Sequence, residues 1–71
     1  MKSLKRRFDN ISNKNKYWSS YICFVEAIKG QNFKTETLRL WFNKIVNKKD
    51  YAKSDRKAIL EHLYKLSNPK T

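Results

Sequence analysis

The 71-residue sequence contains only one glycine, one proline, one cysteine and one histidine. A single glycine excludes the glycine-rich loops that hold nucleotide phosphates, and one cysteine with one histidine cannot supply the four ligands of a structural zinc site. One cysteine also excludes an internal disulfide, which is typical of proteins from reducing compartments. We therefore expect no metal, no cofactor and a cytoplasmic location.

Long apolar runs are also missing. The longest, Tyr21 to Val25, ends at Glu26, far short of the roughly 20 residues that cross a membrane. The basic start of the chain is followed by Phe8 and Asp9, where a secretory signal would begin its apolar stretch. We expect neither a secretory signal nor a membrane partner, although a basic N-terminal helix lying on a lipid surface is an open alternative.

Acidic residues are few. Six Asp and Glu oppose seventeen Lys and Arg, which gives a formal net charge of +11. Self-repulsion of that size destabilises a compact state. A polyanionic partner would explain why the charge is retained, because Lys and Arg that bind phosphates release condensed counterions. The alternative explanation is a coding bias toward Lys and Asn. We favour nucleic acid, DNA or RNA, as the partner.

Signals for β-strands are absent, since the sequence has no Asn-Gly turn and no sustained alternation of apolar and polar residues. Apolar residues recur instead at helical spacing. We predict an all-α fold, a small three-helix bundle core with an additional short basic N-terminal helix or arm. Residues 1–71 form a single domain, in which 1–16 are the basic segment, docked or mobile, and 17–68 are the core.

The first two predicted helices differ in their apolar surface. The first, about residues 3–11, has one narrow apolar stripe of Leu4, Phe8 and Ile11. The second, about residues 17–29, is apolar over most of its circumference, as is typical of a helix inside a bundle. Gly30 lies where a left-handed residue would end it. We expect its core residues to be Tyr17, Trp18, Tyr21, Ile22, Phe24, Val25, Ala27 and Ile28.

The third predicted helix spans about residues 35–48, with Thr35 as its N-cap. The fourth begins after Ser54, its expected N-cap, and ends at Asn68, because the residue before a proline is pushed out of the helical region. Their core faces are Leu38, Trp41, Phe42, Ile45 and Val46 in the third helix and Ile59, Leu60, Leu63, Tyr64 and Leu66 in the fourth.

The stretch from Val25 to Val46 has the order of a helix-turn-helix, with Gly30 and Phe33 in the turn. The outward side of the second helix of that motif enters the major groove, where Arg and Asn bind guanine and adenine edges. Any small bundle also has such a corner, so both interpretations stay open. The predicted nucleic-acid contacts are Thr35, Thr37, Arg39, Asn43, Lys44 and Lys48, with Lys5, Arg6 and Arg7 of the N-terminal segment.

Two further features have more than one interpretation. Tyr17 and Trp18 lie beside Lys14 and Lys16, and interleaved aromatic and basic residues can stack the bases of single strands, although burial is the default for aromatics in a short chain. Leu40 lies on an otherwise polar helix face and is a candidate protein interface. The alternative function is therefore a small adaptor or inhibitor that docks on an acidic protein surface, and a homodimer contact is also compatible.

No residue pattern supports catalysis. Asp55 precedes His62 by seven residues and could orient its imidazole, but Cys23 belongs to the most apolar helix, so no nucleophile is available to be activated. No pair of carboxylates is spaced for general acid–base chemistry. We expect a non-enzymatic protein.

The charge leads to a first prediction. Heparin, sulfate or phosphate added at low ionic strength should raise the melting temperature, because an anion that binds only the folded state stabilises it. A ligand at about 100 times its dissociation constant adds about 2.7 kcal/mol. Thermal unfolding followed by circular dichroism measures the shift. An unchanged melting temperature across these additions would show that the charge has no binding role.

Overall fold

A computed structural model describes residues 3–51 and 55–69, and within those residues the chain is helical with no β-strand. The all-α class predicted from the sequence is confirmed. The elements are α1 (Leu4–Lys14), α2 (Ser20–Ile28), α3 (Thr35–Ile45), a 3₁₀ helix (Lys48–Asp50) and α4 (Arg56–Ser67).

The basic N-terminal segment forms a docked helix. The Ser3 hydroxyl caps α1 by accepting a hydrogen bond from the Arg6 amide at 3.2 Å. Leu4 is only 2% exposed and belongs to the same buried cluster as residues of the other three helices. The described residues of this segment therefore form a docked helix and not a free arm.

α2 begins three residues later than its apolar pattern predicted. Ser19 is the N-cap, and its hydroxyl accepts a hydrogen bond from the Ile22 amide at 3.2 Å. Tyr17 and Trp18 therefore precede the helix, and the prediction that both are core residues is wrong: Tyr17 is fully exposed and Trp18 is 45% exposed. Ile22, also predicted to be core, is 46% exposed.

Two predicted N-caps are wrong as well. Lys34 is the N-cap of α3 and makes no side-chain hydrogen bond there, so Thr35 is the first helical residue. Asp55 caps α4 by accepting from the Lys57 amide at 3.0 Å, whereas the predicted cap, Ser54, lies outside the described residues. The end of α4 at Ser67, before Asn68, agrees with the prediction.

Aromatic packing joins α2, α3 and the segment before α4. Phe24 and Phe42 meet edge to face, with ring centroids 5.9 Å apart, and Tyr51 packs against Phe42 at 4.7 Å. Both phenylalanines are completely buried. The core around them draws on all four α-helices and consists of Leu4, Phe24, Ile28, Leu38, Phe42, Val46, Leu60 and Leu63.

The α2–α3 loop is fastened to the end of α4. Gly30, with φ +69°, ends α2 as predicted, and its amide donates to the Leu66 carbonyl at 2.9 Å. The Asn32 amide donates to the Ser67 carbonyl at 2.8 Å. The Phe33 amide donates to the buried Ser67 hydroxyl at 2.9 Å, and its carbonyl accepts from the Asn68 side-chain amide at 3.1 Å. We call these four hydrogen bonds the loop clamp.

A second polar link fixes the start of α2 to the 3₁₀ helix. The Ser20 hydroxyl donates to the Asp50 carboxylate and accepts from the Asn47 amide at 2.7 Å. The same carboxylate accepts from the Tyr21 amide at 3.3 Å. A negative charge at a helix N-terminus is favourable, so this link also stabilises α2.

The core leads to a second prediction. Phe42→Ala should lower the free energy of unfolding by about 3–5 kcal/mol, because it removes a fully buried ring that contacts Phe24 and Tyr51. Leu40→Ala, in the same helix but 49% exposed, is the control and should change it by less than about 0.5 kcal/mol. Urea unfolding measures both. Equal losses would contradict this assignment of the two faces of α3.

Candidate functional site

A groove of about 720 Å³ lies between the start of α1, the α2–α3 loop and α3. It brings Arg7 of the N-terminal segment and Thr37 of α3, two residues predicted as nucleic-acid contacts, to one surface. The residues that line it are Ser3, Leu4, Arg7, Gln31, Asn32, Phe33, Lys34, Thr37 and Trp41. None of these described residues is acidic.

Arg7 is held at the groove by the backbone of α2. Its Nε donates to the Ala27 carbonyl at 2.7 Å, and the side chain is half-buried. An arginine has five N–H donors, so this bond leaves the terminal nitrogens for a ligand. Two parallel N–H groups suit a phosphate or carboxylate, which they bind in a bidentate manner.

Lysines flank the wall of the groove that α3 provides. Lys34 lines the groove at the N-terminus of the helix. Lys44 lies farther along, with its Nζ 5.5 Å from the centroid of the half-buried Trp41 ring, a distance at which the ammonium and the ring attract each other. Arg7 and Lys34 thus line one groove from two elements of the fold, and Lys44 lies beside its Trp41 wall.

The opposite side of α3 faces the start of α4. The Asn43 Oδ1 accepts two hydrogen bonds from Arg56, from Nε at 3.1 Å and from a terminal nitrogen at 2.5 Å. A carbonyl oxygen has two lone pairs, so both are used. Binding an adenine edge would require that oxygen to accept from the base, and Arg56 would first have to move. Arg39 and Thr35 are exposed on this side.

The three adjacent cations of the N-terminal segment do not act as one cluster. Successive residues of an α-helix point about 100° apart. Lys5 forms an ion pair with Asp9 at 2.7 Å on the exposed side of α1, whereas Arg7 faces the groove. Arg6 is exposed between them. Of the three, only Arg7 shares a surface with α3 residues.

The two remaining predicted site residues are accessible but lie outside the groove. Lys48 is exposed at the start of the 3₁₀ helix. Leu40 is 49% exposed, on the side of α3 opposite to the buried Leu38 and Phe42. A single exposed leucine is common on protein surfaces, but its position between the groove side and the Asn43 side makes it the apolar centre of the outer face of α3.

Positive charge is left largely uncompensated. The described residues include fourteen of the seventeen Lys and Arg, because those at positions 2, 53 and 70 fall outside the described ranges. Within this part of the chain only Lys5 forms an ion pair. Asp50 and Asp55 are engaged with hydroxyl and amide donors instead.

The cysteine and the histidine, the residues that could carry catalysis, differ in their exposure. Cys23 is 1% exposed, and burial raises the pKa of its thiol above the ordinary value. His62 is exposed on α4. Over residues 3–51 and 55–69, no group of three or more His, Cys, Asp and Glu is arranged to hold a metal ion. In the same ranges, no helix has the length and apolar character that crossing a membrane requires.

Protein-family models, curated proteins and solved structures give no match to this chain. The fold and the groove define a class of protein, a small all-α protein with a cation-flanked groove.

Sequence reasoning missed two residues of this surface, Lys34 and Arg56. Lys34 precedes Thr35 in the sequence and was not among the predicted contacts, and only the groove shows that it shares a surface with Arg7. Arg56 contacts Asn43 across two helices, and no local spacing in the sequence encodes that contact. For Tyr17 and Trp18 a signal existed: Ser19 is a preferred N-cap residue, which would have left both aromatics outside α2.

The burial of Cys23 leads to a third prediction. Alkylation by iodoacetamide should be slow in the folded protein, because the thiolate is the reactive form and both burial and the raised pKa suppress it. The rate should increase with pH and increase sharply in urea. Mass spectrometry of the intact chain follows the reaction at this single cysteine. A native chain that reacted as fast as the urea-unfolded chain at pH 7 would refute the buried assignment.

Proposed function

We propose that this protein is a small, non-enzymatic nucleic-acid-binding protein. Phosphates bind at the groove between α1 and α3, and the outer face of α3 lies against the nucleic acid. The cytoplasmic location expected from the sequence goes with this proposal, which also retains the helix-turn-helix-like order of α2, the loop and α3.

One observation carries the proposal: Arg7 and Lys34 line a groove that no described acidic residue lines, and Lys44 lies next to its Trp41 wall. Cations that share one groove repel each other, and among the described residues Asp9 forms its ion pair with Lys5 and not with a groove residue. A ligand with several negative charges would remove that repulsion. Nucleic acid supplies such charges at regular spacing, and their neutralisation releases counterions.

The geometry supports two different roles for the residues on and around α3, phosphate binding and base recognition. Phosphate contacts position a protein on nucleic acid, whereas contacts to base edges specify a sequence. Arg7, Lys34 and Lys44 are suited to the first role. The exposed Arg39 and the Asn43–Arg56 pair are suited to the second. Asn43 already orients Arg56, so the donors of Arg56 have a fixed direction. Thr35 and Thr37 can add hydroxyl contacts to phosphates.

A second candidate function is supported by Leu40. An apolar side chain exposed at the centre of the outer face of α3 could anchor a protein interface. The partner would carry acidic residues, since Arg39 and Lys44 lie on either side. This adaptor function, or a homodimer through Leu40, competes with nucleic acid for the same helix face.

The fourth prediction tests the role of the groove. The logarithm of nucleic-acid affinity against the logarithm of salt concentration should have a slope of about −3 to −5, as expected for four to six phosphate contacts. The double variant Lys34→Ala/Lys44→Ala should weaken binding to all sequences alike and make the slope shallower by about two. Fluorescence anisotropy with labelled oligonucleotides at several salt concentrations measures both quantities.

A matched control distinguishes the effect of the groove lysines from the effect of net charge. Lys57→Ala/Lys65→Ala also removes two positive charges, from exposed positions on α4, and should leave the slope nearly unchanged. Equal effects of the two double variants would mean that net charge and not the groove governs binding. No measurable binding at low salt would reject nucleic acid and leave the protein partner, with Leu40 the first residue to replace.

A further inference from the structure

Two aromatic side chains are displayed at the junction between α1 and α2. Tyr17 is fully exposed and Trp18 is 45% exposed, in a chain where most other aromatics pack against the core. Large apolar surface left in water forgoes the free energy that burial provides. We call the segment Lys14–Trp18 the aromatic corner. Its exposure needs a reason other than stability.

The aromatic corner has a defined backbone. Asn15 caps the end of α1, and both its amide and its side-chain Nδ2 donate to the Ile11 carbonyl at 3.0 Å. The Trp18 amide donates to the Asn15 carbonyl at 3.0 Å, and α2 starts immediately afterwards with Ser19 as its cap. Because both ends of the corner are tied to helices, little ordering is needed when a ligand binds.

A cleft of about 290 Å³ lies at this corner. The cleft presents two aromatic rings, two ammonium groups and two amides, and none of the described residues that line it is a carboxylate. The residues that line it are Asn13, Lys14, Asn15, Lys16, Tyr17 and Trp18. Rings stack on bases, ammonium groups bind phosphates, and the exposed Asn13 amide can donate to and accept from a base edge.

We propose that the aromatic corner binds unpaired nucleotides of single-stranded nucleic acid, with bases stacked on Tyr17 and Trp18 and phosphates beside Lys14 and Lys16. This inference rests on the proposed function but assigns a different site and a strand preference. Duplex bases are already stacked on their neighbours, so their faces are not available to these rings. Sequence-tolerant binding follows, because every base has a π-face.

The corner and the groove lie at opposite ends of α1. Leu4 and Arg7 reach the groove near its start, and Lys14 ends it at the corner. A rise of 1.5 Å per residue places these ends about 15 Å apart. A single strand that runs along α1 could therefore engage both surfaces, with Arg6 and Asn10 exposed between them.

The fifth prediction tests this site with Trp18 as its own reporter. The chain has two tryptophans, so Trp41→Phe leaves Trp18 as the only one and keeps a ring at position 41. Titration with a single-stranded oligothymidine at low salt should quench the Trp18 fluorescence. Tyr17→Ala and Trp18→Ala, made in the wild-type chain, should each weaken single-strand affinity by about tenfold and leave affinity for a duplex of equal length unchanged.

The controls distinguish this site from the groove. Ile22→Ala removes an apolar side chain of similar exposure, 46%, and should change neither affinity. Melting temperatures of the Tyr17, Trp18 and Ile22 variants should match the wild type, since exposed positions contribute little to stability. Equal losses of affinity for single strand and duplex, or Trp18 fluorescence that is not quenched, would overturn the strand preference. The proposed function would still stand if Lys34→Ala/Lys44→Ala weakened binding.

Two other outcomes also decide the question. Absence of binding to both forms at low salt rejects the aromatic corner together with the proposed function. If nucleic acid binds but Tyr17→Ala and Trp18→Ala abolish only a concentration-dependent self-association seen by analytical ultracentrifugation, the corner is a protein contact, and its assignment to nucleotides is wrong.

Discussion

The loop clamp determines how α3 is presented. Four hydrogen bonds hold residues Gly30, Asn32 and Phe33 against the end of α4, and the acceptor at its centre, Ser67, is completely buried. A buried hydroxyl left without its partner is costly, so the loop and the end of α4 form or separate together. Because Gln31, Asn32, Phe33 and Lys34 line the groove, the clamp also builds one wall of the candidate site.

The core and the clamp have complementary effects. Phe24 and Phe42 bring α2 and α3 into contact near their middles, whereas the clamp fixes the connection between them. Apolar contact is not directional, so it would allow α3 to slide or rotate against α2. Hydrogen bonds with defined partners remove that freedom. The groove and the outer face of α3 therefore have a fixed orientation relative to each other.

Helical periodicity was sufficient to predict the α-helical class and most of the core, because burial along α3 and α4 follows the spacing of their apolar residues. It failed at Tyr17 and Trp18, because the apolar pattern extends to residues before the start of α2, whereas the N-cap Ser19 sets the helix boundary. Lys5, Arg6 and Arg7 were grouped because they are neighbours in the basic N-terminal segment, although the helix that contains them points each in a different direction. The Asn43–Arg56 contact depends on how two helices cross, which local spacing does not encode.

The shape of the molecule explains how so much positive charge is tolerated. Its extents are 33 × 32 × 17 Å, so the chain is a thin body, and of the fourteen described Lys and Arg all but the half-buried Arg7 are exposed. At physiological salt, charges farther apart than about 8 Å are largely screened from one another. Repulsion is then greatest between cations that share a surface, such as Arg7 and Lys34 of the groove and Lys14 and Lys16 of the aromatic corner. These are the places where a bound polyanion would gain most, because it would relieve repulsion that salt does not.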